Sequence, residues 1–472
     1  MVCPQLSQHV ISTLFDFACR TVKAKTAIFI LLVLLLAGCA TQTYEPQPLE
    51  PARAAESFRA RSLTDAGLGA VEVWDLPQLT QAALRLHPDL NVARGQWRAA
   101  QAAAITAGQK PNPTISASAE HHSKASGISP WTLMLGIDML IETHGKREAR
   151  MEQAAAMTEA ARLDIAQSVW QIRSRLRARL LEVYAVQQQT AQLQREVDIR
   201  TQIASLLEAR LAAGLVGGTD LSDARLQLQK ARTTLEAEST RRPEALANLA
   251  AALGLPEPAL ANVPLSFASF ERNHIELPEQ DVQRAALLNR LEIRKALASY
   301  DAAEAKLKLE IAKQYPDFSL APGYSWDQGD NRWSLGLSLI LALLNKNEGP
   351  IAEAKALREL ESQQFNALQA GIIGEQAQAL ARWRAAQEEI SRMQQLVAAQ
   401  QARLAQTQRQ FNAGYADRLE LTSAQLELVN AETGVVAGQL KAQRALGQLE
   451  DAVQQPLDGS AALPEIPQET QP

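Results

Sequence analysis

Polar and apolar residues alternate along four short stretches of the chain, which occur in two pairs. Trp131 to Ile141 has an apolar residue at every second position, and Arg332 to Leu343 repeats the pattern. The partner stretches run from Asn112 to Ser123 and from Asp317 to Trp326. Strands of about 10 residues with one apolar face and terminal aromatic residues are typical of a transmembrane β-barrel wall. The alternative is that two hairpins cover a soluble core.

Each strand pair is followed by a very long helical stretch. From Lys146 to Ala213 the sequence has no Gly or Pro, and from Ile351 to Ala413 it has no Pro, although Gly371 and Gly374 interrupt the stretch. At 1.5 Å per residue, these stretches predict helices of roughly 95–100 Å. No single globular core needs such a length, so the pattern indicates a coiled coil or a tube.

The same plan occurs twice. Gly214 recurs as Gly414, and Leu135-Gly136-Ile137 recurs as Leu335-Gly336-Leu337, an offset of 200 residues. Toward the start the offset becomes 203, because Pro113 matches Pro316. Self-similarity over this length indicates an internal duplication.

The patterns divide the chain into segments that alternate between linkers and repeats. We predict a lipoprotein signal peptide (1–38), a lipid-anchored N-terminal linker (39–74), a first repeat (75–256), an inter-repeat linker (257–280), a second repeat (281–456) and a C-terminal tail (457–472). The first repeat has a helix, strands 112–123 and 131–141, a long helix 146–213 and a return helix 219–254. The second repeat has a helix, strands 317–326 and 332–343, a long helix 351–413 and a return helix 418–455.

Four strands cannot close a barrel, and open sheet edges are not tolerated in lipid. Two chains would give eight strands, whose interior is filled by side chains, whereas three chains would leave a lumen. We therefore predict a mainly α fold with a small membrane β part. In this fold, long helical hairpins form an α-barrel tunnel, and each chain contributes four strands to a trimeric 12-stranded β-barrel.

Composition agrees with long helices packed through small side chains. Of the 472 residues, 46% are hydrophobic but only 5% are aromatic. Ala and Leu carry the apolar fraction. The net charge of −5 gives no reason to expect a nucleic-acid partner.

The N-terminus predicts secretion and lipid attachment. Arg20, Lys23 and Lys25 precede the apolar run 27–36, and Leu36-Ala37-Gly38-Cys39 follows it. A basic region, a short apolar core and small residues at a cleavage site make a signal peptide, and L-A-G-C resembles the bacterial lipobox. We predict that Cys39 is lipidated, as a palmitate-bearing lipoprotein, and that Ala40 directs it to the outer membrane. The alternative is a chance Cys after an apolar stretch.

The doubled plan resembles the TolC outer-membrane efflux family over nearly all of the mature chain. Short motifs at the strand-to-helix corners are similar to the CzcC-like, cation-efflux branch: Pro111-Asn112-Pro113, Gly145-Lys146-Arg147 and 345–351 (Asn-Lys-Asn-Glu-Gly-Pro-Ile). The resemblance implies a homotrimer in the outer membrane of a Gram-negative bacterium, with a tunnel into the periplasm. It also implies a periplasmic adaptor protein and an inner-membrane pump, of the RND type, as partners. The function implied is a passive exit duct, with heavy-metal cations, drugs, solvents and polypeptides all open as cargo.

The turns between long and return helices are the candidate functional sites. The resemblance implies a periplasmic gate, and it places Asp220, Asp223 and Glu420 there. The alternative role for such acids is capping of a helix start. Contact with the adaptor is expected at the residues around the two turns, namely Leu211, Gly214, Leu215, Val216, Gly414 and Tyr415.

The sequence predicts no chemistry. None of the six histidines has a metal-ligand spacing on a helix, and no phosphate-binding glycine loop is present. We therefore predict no catalytic residue, no metal and no cofactor, and no enzymatic activity. The rival hypotheses are a periplasmic adaptor (membrane-fusion) protein and a lipid-anchored structural coiled coil. An adaptor has one helical hairpin, whereas this chain has two.

Overall fold

The computed structural model describes residues 42–69, 71–124, 127–271, 290–341 and 343–457. The chain divides into two compact units, residues 1–57 and 58–472. In the first unit, the described residues 42–50 are irregular, and a helix begins at Pro51. The signal peptide and Cys39 lie outside the described residues, as does most of the predicted C-terminal tail.

Long helices dominate the larger unit. The helices of the chain are α1 (Pro51–Arg59), α2 (Leu76–Leu86), α3 (Pro88–Ala107), α4 (Lys146–Ala212), α5 (Gly218–Leu253), α6 (Ala268–Glu271), α7 (Leu291–Ala312), α8 (Glu348–Asn412) and α9 (Arg418–Val453). The strands are β1 (Thr114–His121), β2 (Trp131–Ile141), β3 (Phe318–Asp327) and β4 (Asp330–Leu339). Short 3₁₀ turns occupy Leu63–Ala66 and Glu257–Leu260.

The two long helices have 67 and 65 residues. Helix α4 begins after Gly145, which has a φ of 72°. Helix α8 begins at Glu348, before the Gly349-Pro350 pair, whereas the sequence pattern placed its start at residue 351. Proline is tolerated in a first turn because its missing N–H would have no helical partner there. Pro243, in contrast, lies in the interior of α5, which nevertheless continues to Leu253.

The four strands form one antiparallel sheet in the order β1-β2-β3-β4. The two hairpins are joined because β2 pairs with β3, with Leu135 opposite Tyr324 and Ile141 opposite Phe318. Strand β4 ends at Leu339, four residues before the predicted end. Leu339 faces Phe318, the first residue of β3, so none of the described strands lies opposite the residues that follow.

The main hydrophobic core lies where α2, α4 and α5 meet. Leu79, Leu176 and Leu249 are fully buried in it. Helix α4 packs against α3 and α5 of its own repeat and against α7 and α9 of the second repeat. It is therefore the helix on which the two repeats are assembled. Within the described ranges, no helix has both the length and the apolar character that a membrane-spanning helix requires.

Candidate functional site at the helical tips

Two turns of similar backbone geometry connect the long helices to their return helices. Gly214 and Gly414 have φ values of 70° and 79°, the left-handed conformation expected of a glycine that ends a helix. In the first turn, Leu215 N–H donates to the Arg210 carbonyl. In the second, Tyr415 N–H donates to the Gln410 carbonyl.

Two of the three predicted gate acids cap the return helices. An Asp220 carboxylate oxygen accepts a hydrogen bond from the Gly217 N–H at 3.3 Å. Glu420 accepts from the Asp417 N–H at 3.0 Å, and the Asp417 carboxylate accepts from the Glu420 N–H at 2.9 Å. Asp223 is exposed, and no hydrogen bond or ion pair joins it to Asp220 or Glu420 in the described chain. The capping role expected as the alternative is thus present, and the gate role remains a prediction.

The structure also shows an ion pair between the two tips. Arg210, at the end of α4, contacts Asp417, the N-cap residue of α9. This hydrogen bond is the main reason why the pKa of Asp417 is lowered, and the backbone N–H of Glu420 lowers it further. The contact joins the two repeats of one chain. Neither residue was among the predicted site residues, although the Asp417-x-x-Glu420 spacing is a capping-box signal.

Apolar side chains stand free at both tips. Leu215 is 74% exposed and Tyr415 is 87% exposed. Leu211 is also exposed, and Val216 is half-buried. Arg418 lies over the Phe411 ring, with its guanidinium carbon 5.9 Å from the ring centroid. Exposed large apolar groups on a rigid turn are suited to contact with another protein.

A buried charge cluster links the repeats farther along α4. Arg173 Nη1 and Arg177 Nε lie 3.1 Å and 3.2 Å from Glu450 Oε2, and all three side chains are at most 4% exposed. Arg177 also donates to the carbonyl and the side-chain oxygen of Gln443. None of these residues was among the predicted site residues. The only local signal of the cluster is two arginines one helical turn apart.

The sheet exposes its apolar face. Trp333, Leu335 and Leu337 on β4 are 82%, 73% and 63% exposed, and Ile115 on β1 is 70% exposed. Both β1 and β4 are edge strands of the sheet. Among the residues that the structure describes, no group of His, Cys, Asp and Glu could hold a metal ion.

Paired helical hairpins and a four-stranded sheet define a channel-type fold. The family model "Outer membrane efflux protein" matches residues 79–255 and 282–453. The chain belongs to this family, and its function is that of an outer-membrane efflux channel. The predicted family and the predicted function are confirmed.

Two relatives are similar in sequence. The cobalt-zinc-cadmium resistance protein CzcC of Cupriavidus metallidurans is 25% identical over 287 residues, 59% of this chain and 66% of CzcC. The pyoverdine export outer membrane protein OpmQ of Pseudomonas aeruginosa is 26% identical over 349 residues, 66% of this chain and 71% of OpmQ.

Solved channels share the fold. VceC of Vibrio cholerae matches with a TM-score of 0.66 and 22% identity, over 80% of this chain and 95% of that chain. CusC matches with a TM-score of 0.63 and 18% identity, over 86% and 98%. The predicted fold class, with a helical tunnel and a β-barrel contribution, is confirmed by these neighbours.

Proposed function

We propose that three copies of this chain form the outer-membrane exit duct of a tripartite efflux system. The observation that carries this proposal is the pair of open sheet edges, β1 and β4, beside a largely exposed apolar face. Unpaired backbone groups cost several kcal/mol each in lipid, so the edges must meet other strands. A cyclic trimer supplies them and leaves a lumen.

The trimer is tested by mass and conductance. Protein extracted in detergent should have the mass of three chains, and reconstituted protein should form channels. A monodisperse monomer without conductance would rule out the duct.

The chain is proposed to be anchored by lipid at Cys39, after removal of residues 1–38, and to extend into the periplasm. The exposed apolar residues Leu211, Leu215 and Tyr415 support contact with a periplasmic adaptor at the tips. Val216 and the two turn glycines complete that surface. An inner-membrane pump, of the RND type, would supply the energy, because the duct itself is passive and performs no enzymatic chemistry.

Heavy-metal cations are the cargo that we favour. The support is the similarity to CzcC, which is named for cobalt, zinc and cadmium resistance. The similarity to OpmQ, a pyoverdine export protein, makes a larger organic cargo the second candidate. If heavy-metal cations are the cargo, deleting the gene for this chain in its host should raise sensitivity to zinc, cadmium or cobalt. If the cargo is the larger organic molecule, the deletion should reduce release of a siderophore-like molecule.

We further propose that Asp220, Asp223 and Glu420 form the entrance gate. Three chains would bring up to nine carboxylates to one narrow mouth, where like charges favour cations and bind multivalent ones. We expect cation-selective conductance that millimolar divalent cations block from the periplasmic side.

The gate and cap roles can be separated on one double variant. Asp220→Asn with Glu420→Gln removes two carboxylates per chain and should weaken both the selectivity and the block. Asp223→Asn is a matched control, because Asp223 makes no cap: it should lower selectivity without lowering the melting temperature. If the double variant melts earlier while its selectivity and block are unchanged, the acids are caps and not a gate.

A further inference from the structure

The free end of β4 continues as a row of uncovered apolar residues. Beyond Leu339, the side chains of Ile340, Leu341, Leu343 and Leu344 are 85%, 63%, 77% and 103% exposed. The equivalent end of β2 remains a strand as far as Ile141, because β3 lies opposite it. We attribute the greater length of β2 to the strand that lies opposite its end.

The two hairpins of the chain can be matched residue by residue. His121 faces Trp131 with ring centroids 4.8 Å apart, and Tyr324 faces Trp333 with centroids 4.9 Å apart. Matching these pairs places β1 on β3 with a shift of 203 (324 − 121) and β2 on β4 with a shift of 202 (333 − 131). The second shift corrects the offset of 200 read from the Leu-Gly-Ile motif.

The two shifts together equal the sum that the hairpin registers require, so Ser116 opposite Gly136 corresponds to Ser319 opposite Ser338. An independent observation from outside the strands supports the shift of 202. It carries Gly145 onto Asn347, and both residues have left-handed φ values directly before a long helix. An offset of 200 would place Trp131 on Asn331, which has no ring.

We infer the register in which β4 of one chain pairs with β1 of the next. The seam inside the chain pairs Leu135 with Tyr324, Met139 with Leu320 and Ile141 with Phe318. Adding 202 to the β2 residue and subtracting 203 from the β3 residue gives the seam between chains. The resulting pairs are Leu337 with His121, Leu341 with Ala117 and Leu343 with Ile115, in each case with the second residue on the neighbouring chain.

This register has a structural consequence. Strand β1 runs from Thr114 to His121, so its two ends lie opposite Leu344 and Leu337 of the neighbouring β4. The free β4 ends at Leu339 and therefore lengthens to Leu344 on assembly. The added length pairs the backbone at the free end of β4 with the neighbouring β1, so this edge no longer ends open. The inference rests on the proposed trimer and deepens it.

Disulfide formation between pairs of substituted cysteines tests the register directly. Directly opposed residues of antiparallel strands have Cβ atoms about 4.5–5.5 Å apart, whereas residues displaced by two are about 7–8 Å apart. A disulfide needs a Cβ separation of about 3.5–4.5 Å. We therefore expect Leu341→Cys with Ala117→Cys to form covalent dimers and trimers on oxidation. Leu341→Cys with Ile115→Cys, or with Ala119→Cys, places both thiols on the same face but displaced by two residues.

The controls come from the chain itself. Met139→Cys with Leu320→Cys is the equivalent pair inside one chain, and it should close an intrachain disulfide under the same oxidation. The four single-cysteine variants at Leu341, Ala117, Ile115 and Ala119, and the unmodified chain, define the background from native cysteines. The mass of each variant in detergent is measured independently of the disulfides.

The outcomes separate this inference from the proposed trimer. Cross-linking of Leu341 with Ala117, and only background for the displaced pairs, supports the register. Preferential cross-linking of a displaced pair in a verified trimer overturns the register and leaves the trimer intact. The register is also overturned if the intrachain control closes and no pair between chains does so in a verified trimer. If every variant has the mass of a single chain, the trimer itself is wrong.

Discussion

Glu450 is the carboxylate whose loss should be most damaging to the protomer. It is 1% exposed and lies between two arginines, Arg173 and Arg177, on α4. Its other oxygen accepts the Leu457 N–H at 2.8 Å. Glu450→Gln preserves the size of the side chain and an acceptor for that N–H, but it removes the charge that both guanidinium groups face.

The expected cost follows from burial. Breaking a buried ion pair on one side leaves an uncompensated charge and costs about 3–5 kcal/mol. The matched control is Glu389→Gln, because Glu389 pairs with Lys441 of the same helix α9, where the side chains are 35% and 60% exposed. An exposed pair of this kind contributes about 0–1 kcal/mol. The two variants remove the same charge and differ mainly in burial.

Thermal unfolding in detergent, followed by helical circular dichroism, measures the difference. The entropy of unfolding is about 2.1 cal/mol/K per residue, so 1 kcal/mol shifts the melting temperature of 472 residues by roughly 1 °C. We expect Glu450→Gln to melt roughly 3–5 °C below the natural protein and Glu389→Gln to melt within about 1 °C of it. Equal shifts for the two variants would refute the argument that burial makes the Glu450 pair costly to break.

Three further perturbations have defined outcomes. Burial alone would raise the pKa of Glu310, but hydrogen bonds from Lys306, Lys313 and Asn347 outweigh it and lower the pKa to about 2. The carboxylate therefore stabilises the fold above its ordinary pKa of 4.5, and this contribution is lost as the pH falls toward about 2. The melting-temperature gap between the natural chain and Glu310→Gln should close over that range, and a constant gap would contradict the assignment. Gly447→Ala places a Cβ 2.5 Å from Arg177 Nη1 and should lower the free energy of unfolding by about 1–3 kcal/mol, measured by thermal unfolding. The control is Gly434→Ala, whose Cβ would meet only the flexible Met393 sulfur at 3.3 Å and should lower it less. Cys39→Ser should abolish acyl labelling and slow signal-peptide release; a mature N-terminus elsewhere, without an acyl group, would disprove lipidation.

The fold could be predicted because its patterns are long. Two uninterrupted helical stretches and four alternating stretches are enough to predict paired hairpins and strands. The strand offset was wrong by two residues for a physical reason. Side chains of a strand repeat every two residues, so a shift of two keeps every residue on its face and leaves the hydrophobic pattern unchanged. The pairing of Tyr324 with Trp333 and the left-handed φ of Asn347 distinguished the two offsets.

The site was only partly predictable. Caps are local, so the roles of Asp220 and Glu420 at the helix starts could be anticipated from the turn sequences. The contact of Arg210 with Asp417 joins residues about 200 positions apart, and it depends on how the two hairpins pack. The burial of Glu450 also depends on how the hairpins pack. From the sequence alone, a charged residue on a long helix usually indicates a solvated face.

The charge cluster favours α9 over the similar return helix α5 at one place on α4. At the offset of 200, Gln443 and Glu450 of α9 correspond to Pro243 and Ala250 of α5. A chain that packed α5 where α9 belongs would bury Arg173 and Arg177 without a carboxylate. That arrangement would cost several kcal/mol, whereas the observed arrangement pairs both arginines. The buried charges of Arg173, Arg177 and Glu450 have no charged counterparts at the offset of 200, and they therefore favour α9 over α5 at this place on α4.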